Sequence, residues 1–240
     1  MLKLLKKMIK KYTAACATVI VAAGSSTRMQ GTDKILYPLD GEPLIVRTVR
    51  TFQRHGKVEQ IVIVTRAELI DTMKSLCADH GFDKVSHIVP GGSTRMESVM
   101  KGLSLIKKDI AYVAVHDGAR PFVSERIITD TIEKAVEYHA AAPAIPVKDT
   151  IKMATGHIVT HTPQRSSLFA VQTPQIFDVD LLRAALTKAI KDGTSVTDDC
   201  SAVEALGMSV YLTEGSDKNI KITTPTDLML AQAIGKGIEG

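Results

Sequence analysis

The feature that most constrains this chain is its alternation. Short apolar runs of strand length recur along it, with helix-length amphipathic segments between them. The runs are 17–23, 59–65, 85–89, 111–116, 140–147, 168–172, 208–213 and 219–222, and the helical segments are 42–55, 67–80, 94–107, 124–139, 178–191, 198–206 and 225–235. A strand that is followed by a helix and then another strand usually returns in parallel. The expected fold is therefore α/β: a Rossmann-like, mostly parallel sheet with helices on both faces. Ser124 and Asp178 are placed to cap helices, and Gly81 and Gly207 to end them.

One stretch breaks the alternation. Residues 148–167 are polar and β-branched around a Gly156-His157 turn, and they read as a hairpin in which 149–153 pairs with 157–162. It has too few apolar residues for a core of its own. An isolated ribbon is marginal, so this arm is expected to pack on something, a second subunit included. The chain is thus divided into a basic extension, 1–12, and a single domain, 13–240, that carries the arm.

Composition narrows the class. With 45% hydrophobic and 23% charged residues in 240, the chain is neither disordered, collagenous nor coiled coil. No apolar run reaches the ~18 residues that a membrane span needs. The net charge of +4 owes its sign to Lys3, Lys6, Lys7, Lys10 and Lys11, and without these five the remainder is −1. Nucleic acid is not expected as a partner. The basic start lacks the continuous apolar core of a signal peptide, since Ala17–Ala23 is needed as the first strand. Cys16, Cys77 and Cys200 are odd in number and unpaired in spacing, which suits buried thiols in a reducing cytoplasm.

Ligands of open α/β sheets bind beyond the carboxyl ends of the strands. The loops there are Gly24-Ser25-Ser26-Thr27-Arg28-Met29, Gly91-Gly92-Ser93-Thr94-Arg95, His116-Asp117-Gly118-Ala119-Arg120-Pro121 and Thr173-Pro174-Gln175. The first leads into some 17 residues before the next helix, long for such a connection. It combines a glycine with Arg28 and Lys34, the residue types that wrap and neutralise phosphates. No GxxxxGK[ST] loop is present. Ser26 stands where a dinucleotide fingerprint needs its second glycine, although Arg66 after the second strand keeps an NADP-type reading open. His157 and His161 lie on the ribbon, where metal ligation is not expected. Asp198 and Asp199 begin a helix, where acids suit the dipole, with a role near the site as the alternative.

Seven motifs now stand in order: Ala22-Ala23-Gly24 with Arg28, Met29 and Lys34; Gly91-Gly92 with Arg95, Ser98 and Val99; His116 to Pro121; Asp149-Thr150; Gln172 to Gln175; Thr197-Asp198-Asp199; and Asn219 to Thr223. In these the chain resembles the cytidylyltransferases of the nucleotidyltransferase α/β family, and among them the 2-C-methyl-D-erythritol 4-phosphate cytidylyltransferases. The resemblance implies that Arg28, Lys34 and Lys221 act on the triphosphate, and that Ala22, Ala23, Gly24, Gly92 and Ser98 line the cytidine pocket. It implies that Asp117 lies near ribose, metal and second substrate, and that Arg120, Thr150, Arg165 and Thr173 surround the sugar-alcohol phosphate. CTP, Mg²⁺ held mainly by phosphates, and a homodimer whose arm crosses to the partner are implied in the same way. Ser26 and Ser93 depart from the family's pattern. Ribitol-5-phosphate cytidylyl transfer and non-catalytic nucleotide binding are the rival readings.

Overall fold

The computed structural model describes residues 15–24 and 33–237. The basic extension 1–12, Ser26 and Arg28 therefore lie outside the described residues.

In chain order the strands are β1 (Cys16–Ala22), β2 (Pro38–Leu39), β3 (Glu42–Pro43), β4 (Val58–Thr65), β5 (Val85–Pro90), β6 (Tyr112–Asp117) and β7 (Ala140–Pro146). They continue with β8 (Met153–Thr155), β9 (Ile158–His161), β10 (Phe169–Val171), β11 (Gln175–Asp178) and β12 (Tyr211–Glu214). The helices are α1 (Leu44–Arg54), α2 (Ile70–Asp79), α3 (Arg95–Leu103), α4 (Glu125–Tyr138), α5 (Val179–Asp192), α6 (Asp199–Glu204) and α7 (Pro225–Lys236). Eight strands form one sheet in the order β10-β7-β11-β6-β1-β4-β5, with β12 also on β7. The pairs β6–β1, β1–β4, β4–β5 and β7–β12 are parallel, while β11 and β10 run antiparallel to their neighbours.

Strand β1 shows why the sheet is buried on both sides. Cys16, Ile20 and Ala22 join one apolar layer, with Val49 and Phe52 of α1, Met73 of α2 and Ile128 of α4. Ala17 and Val19 join the other, with Val99 and Leu103 of α3, Leu182 of α5 and Val203 of α6. Period-2 alternation thus feeds two cores, and helices cover both faces as expected. Gly102 lets α3 sit close, because a Cβ there would stand 2.5 Å from Val19 Cγ1. The caps fall where the sequence puts them. The Ser124 side chain accepts from Ile127 N–H, Asp178 from Asp180 and Leu181, and Gly81 and Gly207 take positive φ of 63° and 79° after their helices.

The structure corrects four expectations. Residues 219–222 form no strand. Ile222 N–H donates to Ala119 O at 2.9 Å, and its side chain packs with Leu39, Leu44, Phe122, Leu228 and Ala231, which docks α7. Gln175–Asp178, expected as loop and helix start, is strand β11, wedged between β6 and β7. The ribbon pairs Met153–Thr155 with Ile158–His161, so 149–152 precede it. Gly156, at φ 58°, fixes the turn, and pairing counts outward from there. Thr150 consequently lies before the ribbon, and Arg165 lies in a 3₁₀ turn, Arg165–Ser167, after it. Among the described residues no helix is long and apolar enough to cross a membrane.

Candidate active site

A cavity of about 420 Å³ opens at the carboxyl ends of β1, β5 and β6. Its wall includes Ala22, Ala23 and Gly24 from β1 and the residues after it, Gly92 to Arg95 and Ser98 from the turn into α3, Asp117 from β6, Lys34, and Lys221. Three of the four loops that the sequence places on one edge thus supply it directly. The fourth, at Thr173, supports it from behind.

The turn into α3 depends on glycine for space. A Cβ on Gly91 would stand 2.5 Å from Ala23 Cβ and 3.0 Å from Ser98 Oγ, and one on Gly92 would fall on Glu97. Gly92 N–H donates to Ser98 Oγ at 3.0 Å, and that hydroxyl donates to Thr94 O at 2.9 Å. Ser93 N–H donates to Glu97 Oε2 at 2.7 Å, and Thr94 caps α3. The loop is therefore satisfied internally, with the Ser98 hydroxyl engaged in shaping it.

Asp117 is the electrostatic centre. Lys221 Nζ lies 2.9 Å and Arg120 Nε 3.4 Å from its Oδ2. Burial pushes the carboxyl upward, but Lys221, Arg95 and Arg120 outweigh it and bring the pKa from 3.8 to about 2. Lys221 is placed by its neighbours. Asn219 and Ile222 are both fully buried on either side of it. Asn219 Nδ2 donates to Gln172 Oε1 and Thr173 O, and Arg120 Nη1 donates to Asn219 O at 2.7 Å.

His116 joins two of these loops. Its Nε2 lies 3.2 Å from Arg120 O, which can only accept, so Nε2 carries the proton. Nδ1 then accepts from the Thr173 hydroxyl at 3.1 Å, and that hydroxyl accepts from Asp117 N–H at 3.1 Å. Complete burial lowers the imidazole pKa to about 4, so the ring is neutral at pH 7. Thr173 owes its place to an irregular edge. Val171 faces Ala144 and Ile176 faces Ala141, so five steps on one side match three on β7, and the two extra residues bulge toward β6.

Arg95 and Asp199 form a pair that no local pattern in the sequence announces. Arg95 Nη2 meets Asp199 Oδ2 at 2.7 Å, and the Asp199 side chain is fully buried. Burial disfavours the Arg95 cation, yet Asp199 more than offsets this and raises its pKa. Asp199 is held in turn by Gln175, whose Oε1 accepts from Asp199 N–H at 3.1 Å. Their signals were Arg95 in the glycine turn and the Asp198-Asp199 pair.

Other expected residues lie elsewhere. Thr150 and Arg165 are exposed and do not line the cavity, and Arg165 Nη1 donates to Lys148 O at 3.1 Å. Arg28 lies outside the described residues. The three cysteines are free, and burial pushes the Cys16 and Cys77 thiols up to about 12 and about 11.

Residues 16–236 match the family described as IspD: 2-C-methyl-D-erythritol 4-phosphate cytidylyltransferase. A 2-C-methyl-D-erythritol 4-phosphate cytidylyltransferase of Clostridium novyi is 45% identical over 227 residues, 93% of this chain and 97% of that protein. One from Bacillus velezensis is 45% identical over 224 residues, 92% of this chain and 96% of its own. Among solved structures, 4-diphosphocytidyl-2C-methyl-D-erythritol synthase from Anaerococcus prevotii is similar at a TM-score of 0.83 and 29% identity, covering 94% of this chain and 97% of that one. The corresponding cytidylyltransferase from Francisella tularensis gives 0.78 and 31%, covering 92% and 99%. With the fold, the glycine turn and the cationic cleft already in place, this breadth of similarity settles the kinship: the chain belongs to the 2-C-methyl-D-erythritol 4-phosphate cytidylyltransferase family.

Proposed function

We infer that the chain transfers a cytidylyl group from CTP to 2-C-methyl-D-erythritol 4-phosphate. The products are 4-diphosphocytidyl-2-C-methyl-D-erythritol and pyrophosphate, a step toward isoprenoid precursors by the non-mevalonate route. Family membership supports the reaction. The observation in the chain itself that carries it is the cleft, which Lys34, Arg95 and Lys221 line together with Asp117 and a glycine turn.

The chemistry suits such a cleft. A phosphate monoester, mostly deprotonated at neutral pH, attacks the α-phosphorus of CTP and pyrophosphate leaves. The barrier lies in bringing anions together and in stabilising charge as it moves, so positioning and fixed cations matter more than proton transfer. In this reading Lys34 and Lys221, with Arg28, hold the triphosphate and the charge at the α-phosphorus. Ala22, Ala23, Gly24, Gly92 and Ser98 form the cytidine wall. Asp117, Arg120 and Thr173 serve the alcohol phosphate, with Thr150 and Arg165 reaching it from a second subunit.

Mg²⁺ fits the donor set. The cleft offers one carboxylate, Asp117, and the described residues contain no group of three His, Cys, Asp or Glu placed to hold a metal. That matches an ion that takes one or two carboxylates and completes its shell with phosphates and water. When bound, it neutralises phosphate charge and polarises the α-phosphoryl oxygens. Asp117, kept ionised by Lys221, would be its protein ligand.

The arm supports a homodimer. Ile158 is 77% exposed, and Val159, Met153 and Phe169 are also solvent-facing, an apolar surface that a two-fold partner would cover. Three free thiols suit a cytoplasmic protein.

The test is pyrophosphate release from CTP and 2-C-methyl-D-erythritol 4-phosphate, abolished by EDTA. Equal turnover of ATP, or turnover with ribitol 5-phosphate alone, would overturn the assignment. CTP binding without turnover would reduce the protein to a nucleotide-binding domain.

A further inference from the structure

Arg66 follows β4, where a dinucleotide-binding chain would place a residue for the ribose. In this fold it meets protein instead. Its Nη1 donates to Gly24 O at 3.2 Å, its Nη2 donates to Asp33 Oδ2, and its Nε lies 3.0 Å from Glu68 Oε1. The other Asp33 oxygen accepts from Ile35 N–H at 3.2 Å, which fixes the carboxylate to the chain on the far side of Lys34. Gly24, Lys34 and Ile35 all line the cleft, and Arg66 does not.

We propose that Arg66 is a positioning residue for the cytidylyl transfer. One guanidinium ties the end of β1 to Asp33 and so sets where Lys34 stands across the cleft from Gly24. The inference rests on the reaction proposed above. Residues 25–32 form no part of it.

The physical case is geometric. Gly24 and Asp33 are nine positions apart in sequence, and their approach costs chain entropy. A planar guanidinium presents two donors in a fixed fork, so it spans a carbonyl and a carboxylate at once. A lysine at position 66 presents a single compact charge and cannot hold both at that separation. The Arg66–Asp33 pair is mostly buried, its side chains 20% and 25% exposed, and its loss also lowers stability. Its effect falls on the placement of Lys34, where an error of about 1 Å costs on the order of 10²-fold in rate.

The experiment compares wild type, Arg66→Ala, Arg66→Lys and Asp33→Asn in steady-state kinetics, CTP titration and thermal unfolding. The expected result for Arg66→Ala is a fall of about tenfold or more in kcat/KM for CTP, measured well below a melting temperature that the loss of the pair lowers. Millimolar guanidinium should recover part of the loss in Arg66→Ala and none in a Lys34→Ala control. Arg66→Lys should stay near Arg66→Ala, and Arg66→Ala with Asp33→Asn should be no worse than either alone. Wild-type kinetics in Arg66→Ala, or full activity in Arg66→Lys, would overturn the proposal. Should Arg66→Ala fail to fold, Arg66→Lys and Asp33→Asn decide it: both fall if the two-point tie matters, and wild-type kinetics in either sinks it. A wild-type protein that releases no pyrophosphate from CTP would refute the reaction itself, which keeps the two failures apart.

Discussion

Asp117→Asn separates a charge effect from a shape effect in the middle of the cleft. The substitution keeps the volume and removes the ability to ionise. In the folded protein the Asp117 pKa is about 2 against an ordinary 3.8, with Lys221 the largest of the favourable charges that overcome burial. A folded pKa below the unfolded one means that the carboxylate form is favoured by folding. The stabilisation is fully present above the unfolded value and is lost as pH falls through the folded one. The depression corresponds to about 2 kcal/mol at neutral pH. Integrated over pH, the stability gap between wild type and Asp117→Asn should barely change between about pH 7 and pH 5. It should shrink by about 1 kcal/mol at pH 3, with the rest disappearing below about pH 2. The loss of Arg120's carboxylate partner belongs to that same pH-dependent gap, because protonating Asp117 in wild type removes it too. Urea unfolding of both proteins, followed by circular dichroism at a series of pH values, measures the gap directly. A gap that stays constant down to pH 3, or widens toward acid, would refute the reasoning.

Gly91→Ala should destabilise by about 1–3 kcal/mol, since its Cβ would press on Ala23 and Ser98, whereas a Cβ on Gly24 meets none of the described residues and Gly24→Ala should melt with wild type. Differential scanning calorimetry of the two distinguishes them, and any loss of activity in Gly24→Ala then reports on the bound nucleotide. Lys34→Ala and Arg28→Ala should lower kcat by on the order of 10²-fold with little change in melting temperature, and a rise in KM for CTP alone would show that they only bind. If Arg165 serves the partner's site, co-refolded Lys34→Ala and Arg165→Ala subunits should regain about a quarter of wild-type activity, because half the dimers are mixed and each has one intact site. No recovery would place Arg165 in its own subunit's site.

Legibility in the sequence followed how local the cause was. Strand β1 could be read within a residue, because Cys16–Ala22 is apolar or β-branched throughout and a glycine follows. Ser124 and Asp178 could be read as caps, because a cap acts over three residues. Strand β11 could not, because Gln175–Asp178 is extended by pairing with β6 on one side and β7 on the other. Asn219-Ile220-Lys221-Ile222 alternates like a strand, but its isoleucines pack on the α7 cluster. In the site, the glycine turns and cations were visible as residue types. Resemblance alone put Lys221 at the triphosphate, and its pairing with Asp117, 104 positions earlier, was legible in neither resemblance nor pattern. The Arg95–Asp199 pair lay hidden for the same reason, as two ordinary polar residues far apart in sequence. Arg66 was noticed for a nucleotide that this fold does not require it to meet.

The titrating groups around the cleft also explain its economy. Asp117 is ionised down to about pH 2 and is too weak a base to take a proton near neutrality. His116 is neutral at pH 7, but both of its ring nitrogens are engaged, one with Thr173 and one with Arg120 O. Burial lifts the Cys200 thiol well above the ordinary range, so it supplies no thiolate. Among the described residues, then, no side chain of the cleft is placed as a general base, and the attacking phosphate does not need one. What the reaction needs is positive charge at fixed positions. Asp117 meets that need indirectly: its carboxylate holds Lys221 at the cleft wall and pairs with Arg120, and its low pKa measures how strongly these cations hold it.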